Sequence, residues 1–206
     1  MSGGDLLRLW KRRWPQCPPL AHELKHAYRD RWVRFHSLPG SKRYPDTADE
    51  YRTLLDRYNT ILDELFTGHE VYLITCDWSD SPEPGERPDE QARLQPDARH
   101  WTSVRNNPDE TDPDFVSYTH LFASRIVWRR CAVDDLLRSV ADDVSGGVMI
   151  ADSSLERIHH PYDGGSDVLL PITAERDVLR HRYARWLSSH PEGSERVVNR
   201  RCPRDM

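Results

Sequence analysis

Apolar residues recur at three- and four-residue spacing most clearly over residues 46–66, where Tyr51, Leu54, Leu55, Tyr58, Ile61, Leu62 and Leu65 share one helical face. Thr47 and Glu50 stand at capping-box spacing ahead of this helix, and Gly68 follows it as a residue tolerant of left-handed backbone. Residues 69–76 then read as a strand. Upstream, residues 20–29 have a helical pattern, residues 31–37 alternate polar and apolar as a half-buried strand does, and residues 38–41 form a turn. Residues 115–129, rich in aromatic and β-branched side chains and free of Pro and Gly, predict a long strand suited to the sheet centre. A short helix is expected over 133–144 with Leu136, Leu137, Val140 and Ala141 inward, followed by short strands at 148–151 and 157–160. Asp163-Gly164-Gly165 supplies a tight reversal into a partner strand at 167–170. Thr173 is expected to cap a last helix running to Ser189 and burying Val178, Leu179, Tyr183, Trp186 and Leu187.

These elements predict a single α+β domain over residues 20–189, an antiparallel or mixed sheet of five to seven strands packed by about four helices. Residues 1–19 form a basic, Pro-rich segment apart from it, in which residues 6–14 offer a short amphipathic turn stopped by Pro15, Pro18 and Pro19. Residues 190–206 carry no periodicity and are expected to be a disordered tail.

Composition sharpens the picture in three places. Residues 77–114 hold 11 acidic and 4 basic residues and 6 of the 15 prolines, a local balance of -7 within a chain of net charge -5. This stretch is expected to be a long acidic insertion in water, interrupted by a strand near 99–105. The negative total argues against general nucleic-acid binding, which needs a concentrated basic surface. Four cysteines without a Cys-x-x-Cys pair, no apolar run long enough to span a bilayer and no visible export signal lead to the expectation of a cytoplasmic protein with reduced thiols.

Two polar stretches could carry chemistry. In residues 34–44, Arg34, His36, Ser37, Lys42, Arg43 and Tyr44 surround a turn whose cations, hydroxyls and backbone N–H groups suit an anion. In residues 159–167, His160, Tyr162, Asp163 and Asp167 surround the Asp-Gly-Gly reversal. His159 and His160, adjacent on a strand, point to opposite faces and do not share one metal, so no metal site or cofactor is expected. Both stretches are also explained by solvated strand ends and turn chemistry alone. No Gly-x-Ser-x-Gly elbow, phosphate loop, dinucleotide turn or His-Glu-x-x-His helix occurs in the chain.

The segments His36-Ser-Leu-Pro-Gly-Ser-Lys-Arg-Tyr-Pro45, Arg57-Tyr-Asn-Thr-Ile-Leu-Asp-Glu-Leu65 and His160-Pro-Tyr-Asp-Gly-Gly-Ser-Asp167 together resemble a family of uncharacterised bacterial proteins of unknown function, over about residues 32–189. The resemblance implies one folded unit and brings no activity, cofactor or catalytic residue. Two functions from different classes then fit the chain. The first is a small protein-binding or regulatory module, immunity-like, whose acidic insertion docks a basic protein partner. The second is an enzyme in which segments 34–44 and 159–167 meet in one polar pocket, with His36, His159 or His160 as acid or base. Convergence of those segments in space separates the two.

Overall fold

The structure is a computed structural model that describes residues 3–187. The expected tail at 190–206 lies outside the described residues, and the last helix, expected to run to Ser189, ends at Arg182 and gives way to a 3-10 turn at Ala184–Trp186. The described residues form a single α+β domain around one antiparallel sheet of seven strands. In chain order these are β1 (Trp32–His36), β2 (Glu70–Ser79), β3 (Arg99–Arg105), β4 (Tyr118–Val127), β5 (Met149–Asp152), β6 (Ile158–Tyr162) and β7 (Gly165–Leu169), arranged β1-β7-β6-β5-β2-β4-β3. The helices are α1 (Gly3–Arg13), α2 (Ala21–Ala27), α3 (Ala48–Phe66), α4 (Asp89–Leu94), α5 (Asp134–Ala141) and α6 (Thr173–Arg182).

Side chains alternate across the strands and so make two cores. Val33, Phe35, Leu73, Ile150 and Val168 face α3, α5 and α6, whereas Tyr72, Ile74, Met149, Ile158 and Leu169 face α1 and α2. Helix α3 starts as its sequence requires: Thr47 accepts from the Glu50 backbone N–H, and the Glu50 carboxylate accepts from the Thr47 N–H. Such a cap contributes about 1 kcal/mol. Burial of Leu54, Leu55, Ile61, Leu62 and Phe66 contributes about 1.5–3 kcal/mol each, so packing holds the helix and the cap sets its first residue.

Four expectations are corrected. Strand β4 lies next to the edge strand β3, and β5 occupies the centre, because the acidic stretch supplies an edge strand of its own. That stretch is largely built structure. The Gln95 side chain, buried at the end of α4, donates to the Leu73 carbonyl at 2.6 Å and to Ser124 Oγ at 2.8 Å and accepts from Thr75 Oγ1 at 2.7 Å. Its carboxylates at Asp80, Glu83, Glu86, Asp89, Glu90, Asp97, Asp109, Asp112 and Asp114 nonetheless stay exposed. Third, residues 3–13 are a helix that buries Leu6 and Trp10 against the sheet, with α1 packed on β3. Fourth, the N-cap position of α6 is Ile172, which makes no side-chain cap, rather than Thr173, and Val178 is 58% exposed, because only the Leu179 side of α6 meets the core.

Both sheet edges are blunted against further pairing. On β1 the outward carbonyls of Trp32 and His36 accept from Arg176 (3.4 Å) and Arg57 (2.9 Å). On β3 the pairing is broken by a bulge at Trp101. A chain of short polar contacts ties β3 to the end of β2: His100 Nε2 to Ser103 Oγ at 3.0 Å, Ser103 Oγ to His120 Nδ1 at 2.8 Å, and His120 Nε2 to Ser79 Oγ at 2.8 Å.

Candidate functional site

The strand register aligns polar residues that are remote in sequence. Arg34 of β1 pairs with Asp167 of β7, and Asp167 pairs in turn with His160 of β6. Directly paired residues share a face, so Arg34, Asp167 and His160 form one row across three strands on the α2 side of the sheet. The next row holds His36, Gly165 and Tyr162. Gly165 leaves the middle of that row low: a Cβ there would stand 2.4 Å from the Phe35 carbonyl and 3.0 Å from the Tyr162 hydroxyl. Helix α2 supplies one wall, and the turns after β1 and β6 supply the other. The result is a cleft of about 540 Å³ lined by His22, Lys25, Arg34, His36, Ser41, Arg43, His160, Tyr162, Asp163, Gly164 and Asp167.

Two ion pairs set its electrostatics. On the floor, Arg34 grips Asp167 with both forks, Nε to Oδ1 at 2.9 Å and Nη2 to Oδ2 at 3.2 Å, with side chains 12% and 3% exposed. Such a planar two-point pair holds orientation as well as charge. At the rim, the Arg43 guanidinium and the Tyr44 hydroxyl, the latter at 2.9 Å, both donate to Asp163 Oδ2. Lys25 makes no ion pair or hydrogen bond among the described residues, and its charge faces the cleft uncompensated. From behind the sheet, the Tyr58 hydroxyl donates to the carbonyls of Tyr162 (2.8 Å) and Gly165 (2.9 Å), fixing the turn that carries Asp163. Burial pushes the Tyr58 phenol well up, so it stays a donor.

His160 is the titratable group placed to act. Its Nδ1 donates to the Val148 carbonyl at 2.7 Å, which fixes the tautomer because a carbonyl only accepts. Burial, with Lys25 and His22 adding repulsion, holds its pKa below the ordinary histidine value, while Asp167 and the Val148 contact pull the other way. The ring is thus held neutral, with its lone pair at Nε2.

Of the ten residues singled out from sequence, Arg34, His36, Arg43, His160, Tyr162, Asp163 and Asp167 line this cleft, and Tyr44 braces its rim through Asp163. Ser37 and Lys42 do not join it. Ser37 has the opposite strand parity to Arg34 and His36 and is buried, and Lys42 pairs with Asp46 (2.9 Å) and Glu50 (2.6 Å) at the start of α3. His22 and Lys25 were missed; their spacing of three on an amphipathic helix places them together on one face and was the available signal. His159 is excluded from the cleft. It faces α3, is fully buried edge-on to the Tyr58 ring at 5.8 Å, and has no hydrogen-bond partner for either nitrogen among the described residues.

Burial, reinforced by His160, holds the His159 pKa down to about 3. An unfolded histidine takes its proton at its ordinary value near 6.5, so between those limits the unfolded state binds the extra proton. Stability is therefore full above about pH 6.5 and falls as the pH drops, by up to about 1.4 kcal/mol per pH unit for this one group. Urea unfolding between pH 7 and pH 5 checks this. His159→Leu is expected to make the slope shallower by one proton, and an unchanged slope contradicts the assignment.

Two of the thiols are unsuited to nucleophilic work: burial pushes Cys76 up to about 12 and Cys17 to about 11. Among the described residues no cluster of three or more His, Cys, Asp or Glu is arranged to hold a metal ion, and no helix is long and apolar enough to cross a membrane. No curated protein matches the chain, and no solved structure does. A family model matches residues 20–191, which contain every residue of the cleft, and on that match the chain belongs to the family described as Domain of unknown function (DUF3885).

Proposed function

We propose that the protein binds a small anionic molecule in the cleft between α2 and the β1-β7-β6 corner of the sheet, with His160 as its acid–base group. One observation carries the reading: segments 34–44 and 159–167, more than a hundred residues apart, converge with α2 on a single concavity holding three fixed cations against two carboxylates. Both carboxylates are already engaged by Arg34 and Arg43, so the charge of Lys25 is left for a ligand. A charge-assisted hydrogen bond from Lys25 is worth about 1.5–3 kcal/mol. Lys25→Ala is therefore expected to weaken binding of inorganic phosphate about tenfold or more while leaving the circular dichroism spectrum unchanged. Titration calorimetry measures both proteins. The reading fails if the wild type binds none of phosphate, sulfate and acetate.

The exposed carboxylates of residues 77–114 support a second reading, a docking face for a basic protein partner, because a concentrated negative surface steers association. Its mark is a partner captured at low ionic strength and released at high ionic strength.

A further inference from the structure

We propose that the cleft is built for an oxyanion that still exchanges a proton near neutral pH, the terminal group of a phosphate monoester, and that His160 Nε2 shares this proton with it. The inference rests on the anion-binding reading and narrows it to one ligand class.

With its ring hydrogen committed to the Val148 carbonyl at Nδ1, His160 offers a lone pair at Nε2, which has no hydrogen-bond partner among the described residues. An incoming oxygen must bring a hydrogen, or the ring must take a second proton. The surroundings resist the second course in the empty cleft. Lys25 and His22 approach from α2, Arg34 and His36 from β1, Arg43 from the turn after β1, and His159 lies behind on the same strand. Against these stand Asp167 and Asp163, each already holding an arginine. Tyr162 also lines the cleft.

A carboxylate, with a pKa near 4, and a fully ionised sulfate bring no proton at neutral pH, and each sets oxygen lone pairs against the Nε2 lone pair. A phosphate monoester has its second pKa near 6. As the monoanion it donates its own hydroxyl to Nε2. As the dianion it stands with sulfate and waits for a proton from solvent on the ring, so the monoanion, populated near neutral pH, is what sets the monoester apart. Both routes end in the same complex, one proton lying between a phosphate oxygen and Nε2, with Lys25 answering the remaining charge. No bond to phosphorus is broken in this step.

The test is calorimetric titration of the full chain with inorganic phosphate, phenyl phosphate and sulfate near pH 7. Phosphate and phenyl phosphate are expected to bind at least about tenfold more tightly than sulfate, the size of one charge-assisted hydrogen bond. In His160→Gln, whose amide can turn a donor toward any oxyanion, the preference is expected to collapse to about twofold or less, with sulfate bound more tightly than by the wild type. Equal wild-type affinities for phosphate and sulfate overturn the proposal while leaving an anion site standing; absence of all binding removes both. The wild type alone gives a second readout if the variant fails to fold. Sulfate affinity should rise as the pH is lowered and His160 charges, so the phosphate-to-sulfate ratio should shrink, and a constant ratio counts against the shared proton. Glycerol phosphate in solution is expected to bind as phenyl phosphate does. Retention on phosphatidic acid vesicles without binding of either soluble ester overturns a soluble ligand.

Discussion

Trp14→Ala is expected to lower the stability of the protein by about 3–5 kcal/mol, the cost of emptying a large aromatic site in a core. The Trp14 ring is 1% exposed. It stands edge-on to Tyr28 at 4.8 Å and tilted against Trp10 at 6.4 Å, and the Arg31 guanidinium covers it at 4.5 Å. Its indole N–H donates to the Leu155 carbonyl at 2.7 Å, in the turn joining β5 to β6. The alanine variant therefore loses apolar burial, ring contacts and the donor to a buried carbonyl together. Trp14→Phe separates these contributions, since it keeps most of the packing and strands the carbonyl, for about 1–3 kcal/mol. Urea unfolding followed by circular dichroism measures both. A loss below about 1 kcal/mol for the alanine variant shows that residues 3–14 are an appendage to the domain.

That helix also shows where sequence reading stops. Its basic face, Arg8, Lys11, Arg12 and Arg13, and the prolines behind it give it the composition of a mobile arm, and only Leu6, Leu9 and Trp10 mark a stripe. What covers the stripe is β3, whose Trp101 meets Trp10 edge-on at 5.8 Å. Strand β3 lies inside the acidic stretch, whose composition is that of an insertion in water. The two segments are each other's partners, so missing one meant missing the other. Elements whose partners are adjacent in sequence were legible: the capped helix α3 leading into β2, and the hairpin β6-β7 around Asp163-Gly164-Gly165. The half of the cleft carried by that hairpin was legible for the same reason, because its turn sets His160 opposite Asp167. The placement of β1 beside β7 follows from packing across the whole sheet, and with it the approach of Arg34 and of α2. Ser37 is different, since period-two alternation already separates it from Arg34 and His36. Lys42 was claimed by Glu50, eight residues on, whose capping geometry outweighs a loose turn.

Asp167→Ala is expected to destabilise the protein by about 3–5 kcal/mol, more than any other single change in the cleft, because it leaves the Arg34 guanidinium charged and nearly buried without its carboxylate. Stacking over the rings of Trp32 and Tyr162, at 5.3 and 5.2 Å, keeps Arg34 from swinging out to water and so keeps the penalty in place. Removing both charges relieves it: Arg34→Met with Asp167→Ala is expected to be more stable than Asp167→Ala alone, since an ion pair of this burial adds little over an apolar pair. The double-mutant cycle, read from urea unfolding, should give a coupling of about 2 kcal/mol or more, within the range for groups in direct contact, and additive losses contradict a buried pair. The same variant reports on His160. Asp167 is the nearby negative charge that holds the His160 pKa up against burial, so its removal should drive that pKa further down. Proton resonance titration of the imidazole detects the shift, and a shift in the upward direction shows that the row Arg34, Asp167 and His160 is not electrostatically connected. If the row is connected, the pair on the cleft floor does more than hold β1 to β7: it sets how readily the neighbouring imidazole accepts a proton when an anion arrives.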